Sequence, residues 1–481
     1  MKYFTYLLVL ILVSTACNLK HQPTPEKVKY NVVLVIVDDL NDFINPLQQN
    51  WPELTPNFNR LAQQSITFTH AYTSAPSCNP SRVAMLTGIQ PFNSGVYANP
   101  DHFRDSEVLK NRKTLPELFK ANGYKTYSTG KVFQVPFGKR ADPQSWTDLR
   151  KEEGDLMRSS TYVSDSVLAN GMHYQTNYER LFDWEEQNVS VEQTSDYKNA
   201  TWAARIISKE KQPFFLACGI YKPHLPWYLP KGFLKESIEQ NLDSINFSAT
   251  DLNDLSDYAL EIIKAEQSNS DFNRMLKANK LKEAKRAYLS SIAFADYCLG
   301  TIVDAIESYG DNTILIVVGD HGWHLGEKKH FRKFTLWERA GHVPMFIRLP
   351  KGESGKELND NLLSLIDVYP TLAEYCQLEW DGESDGFDFS SLLKQPKSSS
   401  ANDFVLTTLE EGSVSLRTKQ WRLIRYKDGS VELYDHFMDE NEENNLASDP
   451  KYQSLIDSLN KKLPTSFYPS VSGFGHLILE D

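Results

Sequence analysis

Four short apolar runs constrain this chain more than anything else in it: residues 30–37, dominated by β-branched side chains, and residues 213–218, 313–318 and 343–348. None alternates polar with apolar side chains, so each reads as a strand buried on both faces, the pattern of a parallel sheet covered above and below. Helical patterns at 114–121 and 286–309 lie between them. Strands alternating with helices predict an α/β architecture, a mostly parallel sheet sandwiched by helices. In such folds chemistry gathers beyond the carboxyl ends of the strands. The first run ends in Asp38-Asp39 and the third is followed by Asp320-His321, so the pattern sets an Asp-Asp and an Asp-His pair at one pole of the sheet.

Beyond residues 367–372, which read as a helix start, the character changes. Short alternating stretches follow at 404–408, 414–417, 421–426 and 431–434, and Asp428-Gly429 between the last two is a hairpin signal. They predict a smaller antiparallel C-terminal subdomain over 396–481 that ends in a helix near 452–463, attached to a catalytic domain over 30–395.

Charge narrows the partners. A net charge of −12 argues against nucleic acid, yet a local cluster of lysines on an acidic protein can still bind a small anion. The acidic run 435–443 reads as solvated surface. At the N-terminus, Lys2, an apolar stretch over 6–13 and then Ser14-Thr15-Ala16-Cys17 read as a signal peptide over 1–16, too short to span a membrane. Small residues before a cysteine resemble a bacterial lipoprotein cleavage site, with ordinary secretory cleavage nearby as the alternative. On the first reading Cys17 carries lipid, residues 17–29 form a tether, and the protein is exported and held on the membrane of the bacterial cell envelope. Cys218, Cys298 and Cys376 sit in apolar contexts without a framework spacing, which predicts buried thiols, with one disulfide pair as the alternative open to an exported protein.

Asp38, Asp39, Asp320 and His321 suit one oxygen-rich cation site, because hard cations take mostly carboxylate ligands. A turn or helix cap competes for Asp38-Asp39, since Asn41 and Asp42 follow closely. The remaining motif is Cys78-Asn79-Pro80-Ser81-Arg82, closed by Leu86-Thr87-Gly88. Together with Val37-Asp38-Asp39, Gly130-Lys131, Lys222-Pro223-His224 and Gly319-Asp320-His321-Gly322 in this order, it resembles the type I sulfatases over nearly the whole mature chain. Lys131-Val132-Phe133, Lys222-Pro223-His224-Leu225-Pro226, Asp320-His321-Gly322-Trp323 and His342-Val343-Pro344 make it most similar to the iduronate-2-sulfatase group of that family.

The resemblance implies an alkaline-phosphatase-like fold and a sulfuric ester hydrolase. It implies that a maturation enzyme oxidises Cys78 to formylglycine, whose hydrate is the nucleophile. Sulfate esters are anionic, so attack needs an activated oxygen beside concentrated positive charge, and the second hydroxyl of the hydrate can expel sulfate. One calcium ion would be held by Asp38, Asp39, Asp320, His321 and the modified residue 78. Arg82, Lys131 and Lys333 would hold sulfate oxygens, or Arg82 would steady the hydrate through its forked donors. Lys329 and Arg332 remain alternatives to Lys333 within the basic run 328–333. His224 would protonate the leaving alcohol, since imidazole titrates in the useful range. The substrates implied are sulfated polysaccharides or oligosaccharides containing uronic acids, such as ulvan or glycosaminoglycans. His102 and Arg104 are candidate sugar contacts, as are Trp227 and Tyr228, with loop packing as the competing reading.

One position departs from the family. Gln134 stands where a histidine is usual, and glutamine cannot take a proton at neutral pH, which leaves the base open: the alternatives are a slower enzyme, a recruited residue such as His324, or a specialised subgroup. Two other classes compete: a phosphatase or phosphodiesterase of the same superfamily, and a lipoprotein that binds sulfated glycans without turnover.

Overall fold

The four apolar runs become strands of one sheet in the computed structural model, which describes residues 29–48, 53–135, 138–150, 167–235, 238, 242, 251–264, 270–351, 353, 355–398 and 402–473. The predicted signal peptide, Cys17 and nearly all of the tether lie outside the described residues. Eight strands form the sheet: β1 Asn31–Val37, β2 Ile66–Tyr72, β3 Lys125–Gly130, β4 Asp148–Leu149, β5 Phe214–Ile220, β6 Thr313–Gly319, β7 His342–Arg348 and β8 Glu357–Ser364. Their order is β8-β2-β7-β6-β1-β5-β3-β4. β1 lies between β5 and β6 and runs parallel to both, with Val35 opposite Cys218 on one side and Val317 on the other.

β7 runs antiparallel to its neighbours β6 and β2. Its pairing with β2 slips between Val343 and Met345. Pro344 lies at that point, and a residue without an N–H cannot serve the ladder there.

From Val32 to Val37 every residue of β1 is buried, as its unbroken apolar run requires. Val33, Val35 and Val37 pack beneath one layer, and Val32, Leu34 and Ile36 beneath the other. Six helices matter here: α1 Cys78–Thr87, α2 Leu115–Ala121, α3 Ser195–Lys209, α4 Leu281–Tyr309, α5 Val368–Tyr375 and α6 Gln453–Asn460. α3 and α4 cover the first layer, while α1, α2 and α5 cover the second. Each fully buried Val, Ile or Leu contributes about 1.5–3 kcal/mol, so this double-sided burial holds β1 in register. α2 starts at a capping box in which Thr114 and Glu117 satisfy each other's backbone N–H groups. α4 begins at Leu281, five residues before the expected start, and this extra turn packs as well: Ala284 is buried and Leu281 lies against the core.

The C-terminal stretches form a meander: β9 Val405–Glu410, β10 Ser413–Arg417, β11 Trp421–Arg425 and β12 Val431–Asp435, paired in sequence order and antiparallel. Gly429, at φ 90°, makes the predicted turn between β11 and β12. One face of this sheet packs under α6 through Val414, Leu416, Leu423 and Leu433. The other packs on the main body, where Ile424, Tyr426 and Tyr434 meet Phe334, Leu336 and Trp337.

Candidate active site

Adjacent strand ends build the site. The chain leaves β1 through Asp38 and Asp39, and leaves β6 through Asp320 and His321. Asp320 Oδ1 accepts the backbone N–H of Asp39 and of His321, both at 3.0 Å, which ties the two exits together. Asp39 sits at φ 60°, a conformation that Asp tolerates better than most residues. Its carbonyl accepts the Tyr288 hydroxyl from α4 at 2.7 Å.

Cys78 is the first residue of α1 and is fully buried. Asn99 Oδ1 accepts both Ser77 Oγ at 2.9 Å and Asn79 N at 3.0 Å, so one amide oxygen flanks the cysteine on both sides. Ser81 Oγ donates to the Asp320 carbonyl. Lys131 follows β3 through a crossing that only glycine permits. A Cβ on Gly130, at φ 69°, would lie 1.9 Å from the Gly219 carbonyl oxygen, and one on Gly219 would lie 2.0 Å from that of Lys131. His224 follows β5 on a loop held by Lys222 Nζ, which donates to the Pro226 carbonyl at 2.5 Å.

The side chains converge. One donor atom each from Asp38, Asp39, Cys78 and His321 lie within 4.8 Å of one another. Lys131 Nζ is 2.6 Å from Asp38 Oδ2. Lys333 Nζ is 2.8 Å from Asp39 Oδ1 and 3.1 Å from Cys78 Sγ. Arg82, wholly buried, sets its guanidinium 2.9 Å from Asp38 Oδ1 and 2.8 Å from Asp320 Oδ2 and donates to the carbonyls of Lys131 and Val132. Its forked donors thus meet the carboxylates and the backbone that carry the site. His224 Nδ1 pairs with the Leu225 carbonyl at 2.6 Å, and Nε2 lies 4.0 Å from Asp39 Oδ2.

Electrostatics follows from burial. Burial pushes the Asp38 carboxyl up, but the Lys131 ammonium and Arg82 guanidinium override it and hold it well below the usual carboxylate range. Burial raises Asp320 to about 6 against the pull of Arg82, with Asp38 adding to the rise. Burial also pushes the Cys78 thiol up in spite of Lys131 and Lys333, so unmodified Cys78 is a neutral thiol and a poor nucleophile. Burial lowers His321 to about 3, with Lys333 acting in the same sense. This neutral imidazole pairs Nδ1 with the Gly322 carbonyl at 3.0 Å, and Nε2 lies 3.4 Å from Asp39 Oδ1 and 3.3 Å from Cys78 Sγ. A ring whose other nitrogen donates to a carbonyl is the tautomer a metal ligand needs. With three carboxylates beside it, this donor set fits a hard divalent cation.

Other predicted residues lie elsewhere. Arg104 is bound to Asp142 and Glu117, with Nη2 2.7 and 2.6 Å from their carboxylates, and donates to the Arg112 carbonyl at 2.7 Å. His102 accepts the Arg104 backbone N–H at 3.1 Å. These bonds tie both residues into the loop that follows Asn99, and none of them joins either residue to Cys78 or to the acidic cluster. Arg332, an alternative to Lys333, is paired with Asp271. His324 is buried and bonded through Nε2 to Thr335 Oγ1 at 2.8 Å. Asn99, Ser81 and Tyr288 escaped the sequence reading. Ser81 falls inside the Cys78 motif, but nothing local marks Asn99 or Tyr288, which act from other elements.

A second cluster of Glu338, His436 and Glu442 has its donor atoms equally close. There, however, Arg422 pairs with both carboxylates and Arg417 with Glu338, so the group is an ion-pair network.

Comparison with known proteins agrees with this geometry. The sulfatase family profile matches residues 30–378, and that of the N-sulphoglucosamine sulphohydrolase C-terminal region matches 326–467. A sulfatase of Formosa agariphila is 32% identical over 480 residues, covering 96% of this chain and 92% of that protein. An ulvan-active sulfatase of the same organism is 23% identical, covering 91% and 81%. Human iduronate 2-sulfatase is 27% identical, covering 76% and 68%. Among solved structures, a protein in complex with its substrate D-glucosamine-2-N,6-O-disulfate superimposes with a TM-score of 0.68 at 18% identity, covering 90% of this chain and 98% of that one, which shows the shared alkaline-phosphatase-like fold. The profile over residues 30–378 and the relative at 32% identity place this chain in the sulfatase family, as a sulfuric ester hydrolase.

Proposed function

We propose that this sulfatase removes sulfate from uronic-acid-containing polysaccharides or their oligosaccharides, using formylglycine made from Cys78 and one calcium ion. The observation that carries the reading is that His321 Nε2 and Lys333 Nζ lie 3.3 and 3.1 Å from Cys78 Sγ beside the buried carboxylate cluster. A thiol that burial keeps neutral is of little use there, whereas a residue converted by a maturation enzyme would be.

Formylglycine would supply the attacking hydroxyl and a second one through which sulfate leaves. Calcium would supply Lewis-acid polarisation of a sulfate oxygen, held by Asp38, Asp39, Asp320 and His321. Lys131 and Lys333 place positive charge where the sulfate's charge arrives, in a water-excluded setting that strengthens it. Lys333 Nζ is also within proton-transfer reach of the group at position 78. The Leu225 carbonyl orients the His224 ring, so Nε2 is the atom that would carry a proton to the leaving alcohol. Arg82 keeps Asp38 and Asp320 ionised and aimed.

The substrate class rests on the relatives named for ulvan and iduronate. It also rests on the expected export and lipid attachment at Cys17, which suit an envelope enzyme that meets environmental polysaccharide. The test is free sulfate, measured after incubation with defined sulfated oligosaccharides from ulvan and from glycosaminoglycans, beside an aryl sulfate and the matching aryl phosphate. Sulfate from a uronate-containing oligosaccharide is expected. Phosphate release alone, or sulfate only from oligosaccharides that lack uronic acid, would contradict the reading.

A further inference from the structure

The segment that carries Lys333 is unusual in its backbone. It leaves the metal-side residues Asp320 and His321, makes the short ribbon His324–Leu325 against Phe331–Arg332, and returns to the site at Lys333. Four of its non-glycine residues have positive φ: Lys328 at 54°, Lys329 at 48°, Arg332 at 79° and Phe334 at 67°. Two of these flank Lys333 directly. Such a conformation is strained for a residue with a side chain and persists only where its surroundings over-determine it. The conformation at 332 and 334 decides where Lys333 points, so whatever enforces it acts on the lysine.

On the Phe334 side, the backbone N–H donates to the Pro76 carbonyl at 3.1 Å, and the ring packs among Ile424, Tyr426 and Tyr434. On the Arg332 side the restraint is ionic and aromatic. Its buried guanidinium places Nε 2.6 Å from Asp271 Oδ2, donates through Nη2 to the Tyr178 carbonyl at 2.7 Å, and lies 3.6 Å from the centre of the Tyr178 ring. Asp271 is buried as well. A planar guanidinium can pair and stack at once, which an ammonium cannot. Arg332 and Lys333, neighbours in sequence, therefore face opposite ways: one into this clamp, the other onto Asp39 and Cys78.

We propose that Arg332, clamped by Asp271 and Tyr178, is the positioning residue for Lys333, holding the left-handed backbone that turns the lysine into the active site. The proposal rests on the reading of Lys333 as a catalytic group.

A double-mutant cycle on the matured, calcium-loaded enzyme tests it, with an activated aryl sulfate as substrate and with melting, metal content and formylglycine conversion as controls. Arg332→Met should lower kcat by about tenfold or more, as expected when a reacting group is displaced by about 1 Å, with a much smaller change in KM. In the Lys333→Ala background the same substitution should cost less than about twofold, because its effect passes through the lysine. Should Arg332→Met fail to fold, Asp271→Asn keeps the shape and removes the charge, and the same non-additivity is expected. Equal losses in both backgrounds, or no loss in the enzyme that keeps Lys333, would overturn the clamp while leaving the reading of Lys333 standing. Full turnover by Lys333→Ala would instead overturn that reading, and the clamp with it.

Discussion

Two buried charge clusters in this molecule are made of the same residue types and do opposite things. At the junction with the C-terminal sheet, Glu338 accepts Tyr72 OH at 2.8 Å and pairs with Arg417 and Arg422. Glu442 pairs with Arg422 and takes His436 Nε2 at 2.9 Å and the Glu338 N–H at 2.8 Å. The bonds close on themselves and join two sheets. At the sheet pole, Arg82 binds Asp38 and Asp320 from one side, and donor atoms of Asp38, Asp39, His321 and residue 78 lie within 4.8 Å of one another. Proximity of acids and histidine is therefore common to both clusters. Their other partners differ: the junction's carboxylates close on Arg417, Arg422 and His436, whereas the pole's also meet Lys131 and Lys333, the second of which reaches the thiol of Cys78.

The comparison breaks first at position 78. Cys78→Ala should abolish sulfate release, by roughly a thousandfold or more as for loss of a nucleophile, while the melting curve stays close to wild type. Cys78→Ser should be as inactive unless the host matures serine. Multiple turnover by Cys78→Ala would remove the pole's claim to chemistry. Next come the carboxylates. Asp38→Asn or Asp320→Asn should weaken calcium binding and lower turnover together, on the order of a hundredfold, because each removes an anionic ligand. Calcium titration followed by calorimetry, beside kinetics, checks it, and full activity after exhaustive chelation would be decisive against the metal.

At the junction the expected sign is reversed. Arg422→Met leaves two buried carboxylates short of a partner and should destabilise the fold by about 3–5 kcal/mol, while turnover per folded molecule changes little. Denaturant melts beside active-site-normalised rates separate the two. The junction also carries a pH signature. Burial raises Glu432, bonded to Trp337 and Tyr434, to about 7, against about 4.3 when unfolded. A raised carboxyl contributes stability that is complete below the unfolded value and lost as pH rises through the folded one. Stability should therefore fall by roughly 1 kcal/mol between pH 6 and 8, and Glu432→Gln should flatten that slope.

The smallest effect concerns Gln134. If another group already serves as base, the wild type should show no burst of alcohol product, and Gln134→His should leave steady-state turnover within about twofold. Stopped-flow kinetics that showed a burst, together with faster turnover in Gln134→His, would mean that the glutamine is an uncompensated loss. His324 is a poor substitute, since its Nε2 is bonded to Thr335; Lys333 at 3.1 Å from residue 78 is better placed.

Much of this was legible in the chain. Unbroken apolar runs marked strands buried on both faces, and the Asp-Asp and Asp-His pairs after β1 and β6 could be placed at one pole because strand ends in such sheets share a side. Polarity of the pairing was not legible: β7 reads like its neighbours but runs antiparallel, and strand direction is set by connections rather than composition. Nor could residue type divide the basic run 328–333. Lys328 turns to Asp251 and the backbone carbonyl of Glu442, Arg332 to Asp271 and Lys333 to Asp39, because each meets an acid supplied by a distant segment. The pairing of Arg104 was hidden for the same reason, its partners Glu117 and Asp142 being remote in sequence.

Mass spectrometry of the peptide spanning residue 78, from protein made in its native host, decides whether the buried cysteine is the precursor of the nucleophile. Formylglycine is expected in place of Cys78 in the active fraction. Unmodified cysteine in fully active enzyme would contradict it.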